Sequence, residues 1–200
     1  MSRDFFDVAR HQRAHRDFAA MPVPDEVIAK LLTHATYAPS AENSQPWEFI
    51  VIKDAAARAE LSAIAKRAWE GGAREYERGR LSESVFADVD HGMVSGFATA
   101  PVWVLVAGDT DRVMESALDE SVYPAVQNLL LGATALGLGS ALTTIVKVFA
   151  SELRELCQMP DTLVPLAAIP LGYPARQLGL SRREPATEHT HSNRFGTPWP

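Results

Sequence analysis

Two pairs of arginines, far apart in the chain, have the chemistry to hold an anionic ligand. Arg13 and Arg16 lie three residues apart in the segment QRAHRDF, and Arg182 and Arg183 are adjacent near the carboxyl end. A guanidinium group binds phosphate and carbonyl oxygens through N–H donors of fixed geometry. The pairs therefore favour a site for a phosphate and for the polar edge of a ring, although arginines on a solvated surface would look the same.

Two further stretches could present polar groups to the same ligand. The segment APSAENSQPW, residues 38–47, places Ser, Asn and Gln side chains between two prolines. Prolines restrict the unfolded backbone, so such a loop can hold polar groups in a fixed array at low entropic cost. Thr143 and Thr144, if extended, could offer backbone groups to a planar ring. Taken alone, either stretch could be an ordinary connection.

The elements that must position these residues follow from hydrophobic periodicity and from turn formers. The pattern predicts an α+β protein with few strands and one core. In the helix predicted over 121–136, we expect Pro124 to be tolerated because it lies in the first turn, and Gly137 to end the helix. In the helix predicted over 55–80, Gly71-Gly72 should be a weak point. Helices are predicted over 3–12, 21–38, 55–80, 121–136 and, with Ser151 as N-cap, 151–159; strands are predicted over 47–53, 101–109, 140–146 and 164–174.

Composition excludes several classes of function. The 200 residues suit a single domain over 1–200, 46% of them are hydrophobic, and the net charge of -6 gives no footprint for nucleic acid. No apolar run is long enough for a membrane span, and the amino end lacks the pattern of a signal peptide. With Cys157 as the only cysteine, no disulfide forms within the chain, and a reducing cytoplasm is the expected location.

Motifs of other enzyme classes are incomplete. The glycines at 137–139 end a helix instead of opening one after a strand, which argues against a dinucleotide fold. The segment GMVSG at 92–96 lacks the spacing of a hydrolase elbow. His189 and His191 lack a third ligand nearby, so no metal site is predicted, and Cys157 is interpreted as a structural thiol.

In order and spacing, the motifs resemble those of the nitroreductase family of flavoproteins over nearly the whole chain. That family opens with a run of the type R-R-S-x-R-x-F, followed by V-P and by A-P-S-x-x-N-x-Q-P-W before a strand; here QRAHRDF, VP and APSAENSQPW stand in that order. A helix of the type Q-N-L-L-L ending in L-G-L-G matches residues 127–139. G-Y-P and R-x-P follow, matching 172–174 and 183–185.

The resemblance implies that these residues bind FMN. Arg13 and Arg16 match the first flavin contacts of the family, with Arg16 nearest to the pyrimidine edge of the ring. Arg183 matches a late arginine that binds phosphate, and Arg182 could replace it. Gln12 and Ala14 stand where the family has an arginine and a serine. The contacts that this arginine and serine would make with the phosphate or the ribityl chain are lost, which puts the phosphate site in question. The remaining matched positions are Pro39, Ser40 and Asn43, in a loop that the second subunit often donates, and Leu142, Thr143 and Thr144, whose backbone lies against the ring.

The resemblance also implies a particular fold and a particular activity. The expected fold has three layers, with a central, mostly antiparallel sheet flanked by helices, in an intertwined homodimer whose final twenty residues wrap the partner subunit. The expected activity is transfer of electrons from NADH or NADPH through FMN to a nitroaromatic, a quinone or a flavin, by a ping-pong mechanism without a catalytic acid, base or nucleophile from the chain. An apolar helix at 121–136 also favours a subunit interface.

Two other readings stay open at this point. A flavoprotein of this kind could act as an oxidase or dehydrogenase on a dedicated metabolite, or use a deazaflavin. It could also bind flavin without turnover, for which the replacements at positions 12 and 14 give a reason.

Overall fold

A four-stranded antiparallel sheet runs through the centre of residues 4–199, the part of the chain that the computed structural model describes. The strands are β1 (Trp47–Ile52), β2 (Val102–Asp109), β3 (Gly139–Ser140) and β4 (Leu163–Gly172), in the spatial order β1-β2-β4-β3. Each neighbouring pair is antiparallel. Residues 102–107 of β2 are buried on both faces, which explains why that strand is apolar throughout.

Helices cover both faces of the sheet. They are α1 (Phe5–His11), α2 (Asp25–Ala35), α3 (Ala55–Ala68), α4 (Arg74–Glu77), α5 (Glu83–Val94), α6 (Leu118–Ala135) and α7 (Ala150–Cys157). Because side chains alternate along a strand, Val104 and Val106 of β2 pack with α2 and α6, whereas Trp103 and Leu105 pack with α3 and α7. The expected three-layer α+β arrangement is confirmed.

The carboxyl end of α6 directs the chain into β3. Gly137 has a φ of 77°, and its N–H donates to the carbonyl of Thr134 at 3.1 Å while that of Leu138 donates to the carbonyl of Ala133 at 2.8 Å. This is a Schellman motif, in which glycine tolerates the left-handed conformation. The predicted role of Gly137 is confirmed, and the motif delivers residues 139–144 to the edge of the sheet.

Two predictions about helix starts are wrong. The buried side chain of Leu118 extends the apolar face of α6 by almost a turn, so Pro124 lies in the second turn instead of the first. Helix α7 begins at Ala150, and Phe149 stands at its N-cap position without a side-chain bond, so Ser151 does not cap it. The predicted weak point at Gly71-Gly72 is confirmed, since the π-helical turn Trp69–Ala73 separates α3 from α4.

The strand predicted over 140–146 is also wrong for most of its length. Only Gly139 and Ser140 pair as a strand, after which the chain makes a single further bridge to β4 at Thr143. Residues Ile145–Phe149 then form a short 3-10 helix. Leu142 is 46% exposed because it points away from the sheet at this departure.

The burial of α6 needs no second subunit to explain it. Its buried residues pack on β2, α2 and α1 of the same chain. Among residues 4–199, no helix is long and apolar enough to cross a membrane.

Candidate functional site

Four arginines line one cavity of about 530 Å³ on the surface of the protein. Arg13, Arg176, Arg182 and Arg183 contribute to its wall, and Asp88 of α5 is the one acidic residue there. Four positive charges less one negative charge give a local formal charge of +3, in a protein whose overall charge is -6. We call this cavity the arginine pocket; its charge fits a phosphate dianion.

The two ends of the chain meet at the arginine pocket through backbone contacts. Nη1 of Arg13 donates to the carbonyl oxygens of Gly179 and Leu180, at 3.1 and 3.0 Å. The N–H of Ser181 donates to the carbonyl of Arg10 at 3.0 Å. These bonds hold the segment before Arg182 against the end of α1 and the residues after it, so Arg13 of the first predicted pair joins Arg182 and Arg183 in one pocket, whereas Arg16 lies outside its wall.

The segment that carries Arg16 lies beside the sheet edge formed by β3. Ala14 forms a parallel bridge with Ser140, and the N–H of His15 donates to the Ser140 carbonyl at 2.9 Å. A Cβ added to Gly139 would lie 2.8 Å from the His15 side chain, so glycine permits this approach. Residues 14–15 and 139–140 are therefore neighbours, as a site shared by these two segments requires.

Helix α5 packs directly onto Arg16. A Cβ at Gly92 would lie 2.3 Å from Cδ of Arg16, and one at Gly96, just beyond the helix, would lie 2.1 Å from the Arg16 carbonyl oxygen. The guanidinium of Arg16 pairs with Asp88 of the same helix, and Nη2 of Arg176 donates to Asp88 at 3.0 Å. The Arg16 side chain is 19% exposed, so this ion pair is partly shielded from water.

The arginines around His15 make this part of the surface electropositive. Burial lowers the pKa of His15, and the positive charges of Arg13 and Arg176 lower it further. Asp88 opposes that effect, and Arg16 adds to it. The ring is thereby favoured in its neutral form, which leaves the positive charge of the site to the guanidinium groups.

A second cavity, of about 440 Å³, also borders α5, at Val89 and Met93. Its wall is mostly apolar and includes Trp69, Leu81, Val89, Met93, Leu142 and Ile145. Such a lining suits a flat aromatic group. We call it the apolar pocket. Because Asp88 lines the arginine pocket and Val89 lines the apolar pocket, the two pockets meet α5 at neighbouring residues.

Thr143 and Thr144 also line the apolar pocket, but Thr143 has little free backbone. Its N–H donates to the Ala168 carbonyl at 3.1 Å, and its carbonyl accepts from the Ala168 N–H at 2.9 Å. Its hydroxyl is buried and has no hydrogen-bond partner among the described residues. The exposed neighbours Leu142 and Thr144 are thus better placed to contact a ring than the backbone of Thr143 is.

The predicted loop residues do not reach either pocket within this chain. Pro39 and Asn43 are exposed, and Ser40 accepts a hydrogen bond from the Gln45 N–H at 3.0 Å. Asn43, Glu42 and Gln45 all have positive φ angles, of 57°, 54° and 49°. Such strained backbone in non-glycine residues is often found where a loop has a function.

The positions that depart from the family pattern differ in placement. Gln12 ends α1, where its N–H donates to the Val8 carbonyl at 3.0 Å, and it does not line the arginine pocket. Ala14 lines a very small cavity beside Arg16. Arg182 stands in the pocket wall next to Arg183, as expected of a replacement.

Sequence reasoning missed three residues of the site. Arg176 follows the Gly-Tyr-Pro motif by two positions, and that proximity could have indicated it. His15 is one of the two variable positions within QRAHRDF, so the motif does not mark it. Asp88 lies in a helix that the sequence left unassigned, and no motif marks it. The predicted absence of a metal site stays a prediction; within residues 4–199, no cluster of three or more potential ligands is present.

Comparison with known proteins links this geometry to one family. The family model described as "Nitroreductase family" matches residues 9–173. A protein of Methanothermobacter thermautotrophicus, named as an NADH dehydrogenase/NAD(P)H nitroreductase, is 28% identical, with 88% of this chain and 80% of that protein covered. The iodotyrosine deiodinase of Thermotoga neapolitana is 30% identical, with 84% and 88% covered. The crystal structure of a protein from Desulfovibrio desulfuricans, named as a nitroreductase and in complex with FMN, superposes with a TM-score of 0.72 at 26% identity, covering 98% of this chain and 99% of that one.

Proposed function

Because this chain belongs to the nitroreductase family, we propose that it is an oxidoreductase that uses FMN to pass electrons from NADH or NADPH to a small electron-poor acceptor. One observation carries the proposal. The arginine pocket, with a local formal charge of +3, and the apolar pocket both border a single helix, at its neighbouring residues Asp88 and Val89. A planar aromatic ring with a phosphate tail has the two chemistries that these pockets complement.

The residues present fit FMN. We assign Arg13, Arg182 and Arg183 to the phosphate, because guanidinium groups bind phosphate oxygens in pairs. Arg16 is assigned to the polar edge of the ring, and Leu142 and Thr144 to its flat face. When bound, FMN supplies the hydride-accepting chemistry, and the chain supplies position and charge.

The proposed reaction balances without an acid or base from the chain. NADH or NADPH gives up a hydride, which is two electrons and a proton, and water supplies a second proton. A quinone acceptor gains two electrons and two protons, whereas a nitro group gains the same and loses one oxygen as water. We propose that donor and acceptor occupy the apolar pocket in turn, which predicts ping-pong kinetics.

We also propose that the active form is a homodimer in which each subunit completes the site of the other. Ser40 and Asn43 lie in an exposed loop that lines neither pocket of its own chain. The carboxyl-terminal tail carries large apolar side chains with high exposure, Phe195 at 92% and Trp199 at 56%. A partner subunit would cover such groups, and the tail is proposed to wrap it.

The absorbance spectrum of the purified protein, before and after incubation with FMN, is the first test. We expect bands of oxidised flavin, bleached anaerobically by NADH or NADPH and restored by a nitroaromatic or a quinone. Since one relative is named an iodotyrosine deiodinase, iodotyrosine belongs among the acceptors assayed. A protein that stays colourless and cannot be loaded with FMN refutes the proposal. Bound flavin that neither nucleotide reduces would favour a metabolite oxidase, a deazaflavin enzyme or a flavin carrier.

A further inference from the structure

We propose that Asp88 is a positioning residue of the flavin site. Its carboxylate holds the Arg16 guanidinium in place and offsets one positive charge beside the ring, so that the reduction potential of bound FMN stays low. The inference rests on the proposed function, because it concerns FMN bound next to Arg16.

Asp88 joins arginines from opposite ends of the chain. Its Oδ2 accepts from Nη1 of Arg16, and its Oδ1 accepts from Nη2 of Arg176 at 3.0 Å. Both carboxylate oxygens are thus used, one for each guanidinium. Without the carboxylate, two like charges would face each other across a short distance, and the Arg16 side chain would lose its fixed partner.

The packing of α5 shows that this contact is built into the fold. The helix approaches Arg16 so closely that side chains at Gly92 and Gly96 would collide with it. The aliphatic part of the Arg16 side chain is therefore confined by α5, and the guanidinium is the part of the side chain that can still move. Asp88, one turn before Gly92, restrains that remaining group.

The position of Asp88 gives the contact a functional consequence. It lines the arginine pocket, and Val89, the next residue, lines the apolar pocket, so a ligand that reaches both passes beside this carboxylate. Positive charge next to a flavin ring favours the reduced form, which carries more negative charge. Asp88 reduces that charge. Replacing it with a neutral residue raises the formal charge of the arginine pocket from +3 to +4.

The test compares the reduction potentials of FMN bound to wild-type protein and to variants, by anaerobic titration against a reference dye. Asp88→Asn is expected to bind reduced FMN about tenfold more tightly relative to oxidised FMN, which is a positive shift of about 30 mV for a two-electron couple. Asp88→Glu keeps the carboxylate and should stay near the wild-type value. Arg16→Ala should shift the potential in the opposite direction.

A matched control separates this effect from a change in overall charge. Glu60→Gln also removes a carboxylate that pairs with an arginine, Arg67, but on α3 outside both pockets. It should leave the potential unchanged. Equal potentials for Asp88→Asn and wild type, or equal shifts in Asp88→Asn and Glu60→Gln, overturn the role of Asp88.

A second variant keeps the proposal testable if Asp88→Asn does not fold. Arg176→Ala removes an exposed guanidinium and leaves Asp88 to Arg16 alone, so the potential should become more negative; an unchanged or raised potential contradicts the proposal. A wild-type protein that cannot be loaded with FMN refutes the proposed function and this inference together. A loaded protein that responds to none of these changes refutes this inference only.

Discussion

The close approach of α5 to Arg16 predicts that Gly92→Ala destabilises the protein although alanine is the better helix former. In a helix interior, alanine is favoured over glycine by about 0.5–1 kcal/mol. The new methyl group would lie 2.3 Å from Cδ and 2.8 Å from Cβ of Arg16, neither of which is a flexible side-chain end. Overpacking of this kind costs about 1–3 kcal/mol. The net result is a loss of about 0.5–2 kcal/mol.

Gly71→Ala is the matched control, since Gly71 also has helical neighbours but nothing within 4 Å of an added Cβ. At position 71 no collision offsets the higher helix propensity of alanine, so this variant should be more stable than wild type by about 0.5–1 kcal/mol. Urea unfolding of the flavin-free proteins measures both, with an unchanged denaturant slope as the sign that only stability has altered.

The same substitution should weaken FMN binding, because relief of the collision displaces Arg16. Titration of the apoprotein with FMN, followed by quenching of flavin fluorescence, should show a higher dissociation constant for Gly92→Ala than for Gly71→Ala. The reasoning is refuted if Gly92→Ala is stabilised as much as the control, since that would mean α5 does not press on Arg16.

Three further predictions concern single side chains. Arg183→Ala should weaken FMN binding by about tenfold to a hundredfold, as a hydrogen bond to a charged group contributes about 1.5–3 kcal/mol; unchanged flavin content after dialysis, beside Arg80→Ala as control, would contradict the phosphate assignment. Because the pKa of His15 is lowered in the folded protein, the unfolded chain binds a proton at this histidine at a higher pH than the folded protein does. The free energy of unfolding is therefore at its full value above about pH 6.5 and falls as the pH drops below it. His15→Gln should show a smaller fall in urea midpoint over that range, and an identical fall would exclude His15 as a cause. Burial raises the pKa of the Cys157 thiol, so iodoacetamide should alkylate it more slowly in the folded protein than in the unfolded one; equal rates would show an accessible thiolate.

Local signals in the sequence were enough for the central elements of the fold. The uninterrupted apolar run of β2 predicted a strand covered on both faces, and the glycine after α6 predicted a left-handed cap. The strand expected from residue 140 onward failed for a tertiary reason. Pairing was expected along residues 140–146, but after Ser140 the chain makes only the bridge at Thr143 to β4, and Leu142 between them is exposed.

The residues of the candidate site could also be predicted from the sequence only in part. Arginine pairs beside recognisable motifs indicated Arg13, Arg16 and Arg183, because guanidinium groups bind phosphate oxygens in a fixed geometry. Asp88 could not be found, since its importance arises only from the docking of α5 over Arg16. A half-buried aspartate has no local signature in the sequence, and nothing in the pattern around Gly92 and Gly96 indicates the close approach that these glycines allow.

The bond from Arg13 to the Gly179 carbonyl spans 166 residues, and this has a consequence for when the site can form. A ribosome makes the chain from its amino end, so Arg13 and Arg16 emerge before Arg176, Arg182 and Arg183. Until then, a nascent polypeptide holds only part of the positive charge needed to capture a phosphate. Capture of a phosphate by the complete arginine pocket therefore cannot begin before Arg183 has been made, however early Arg13 is in place.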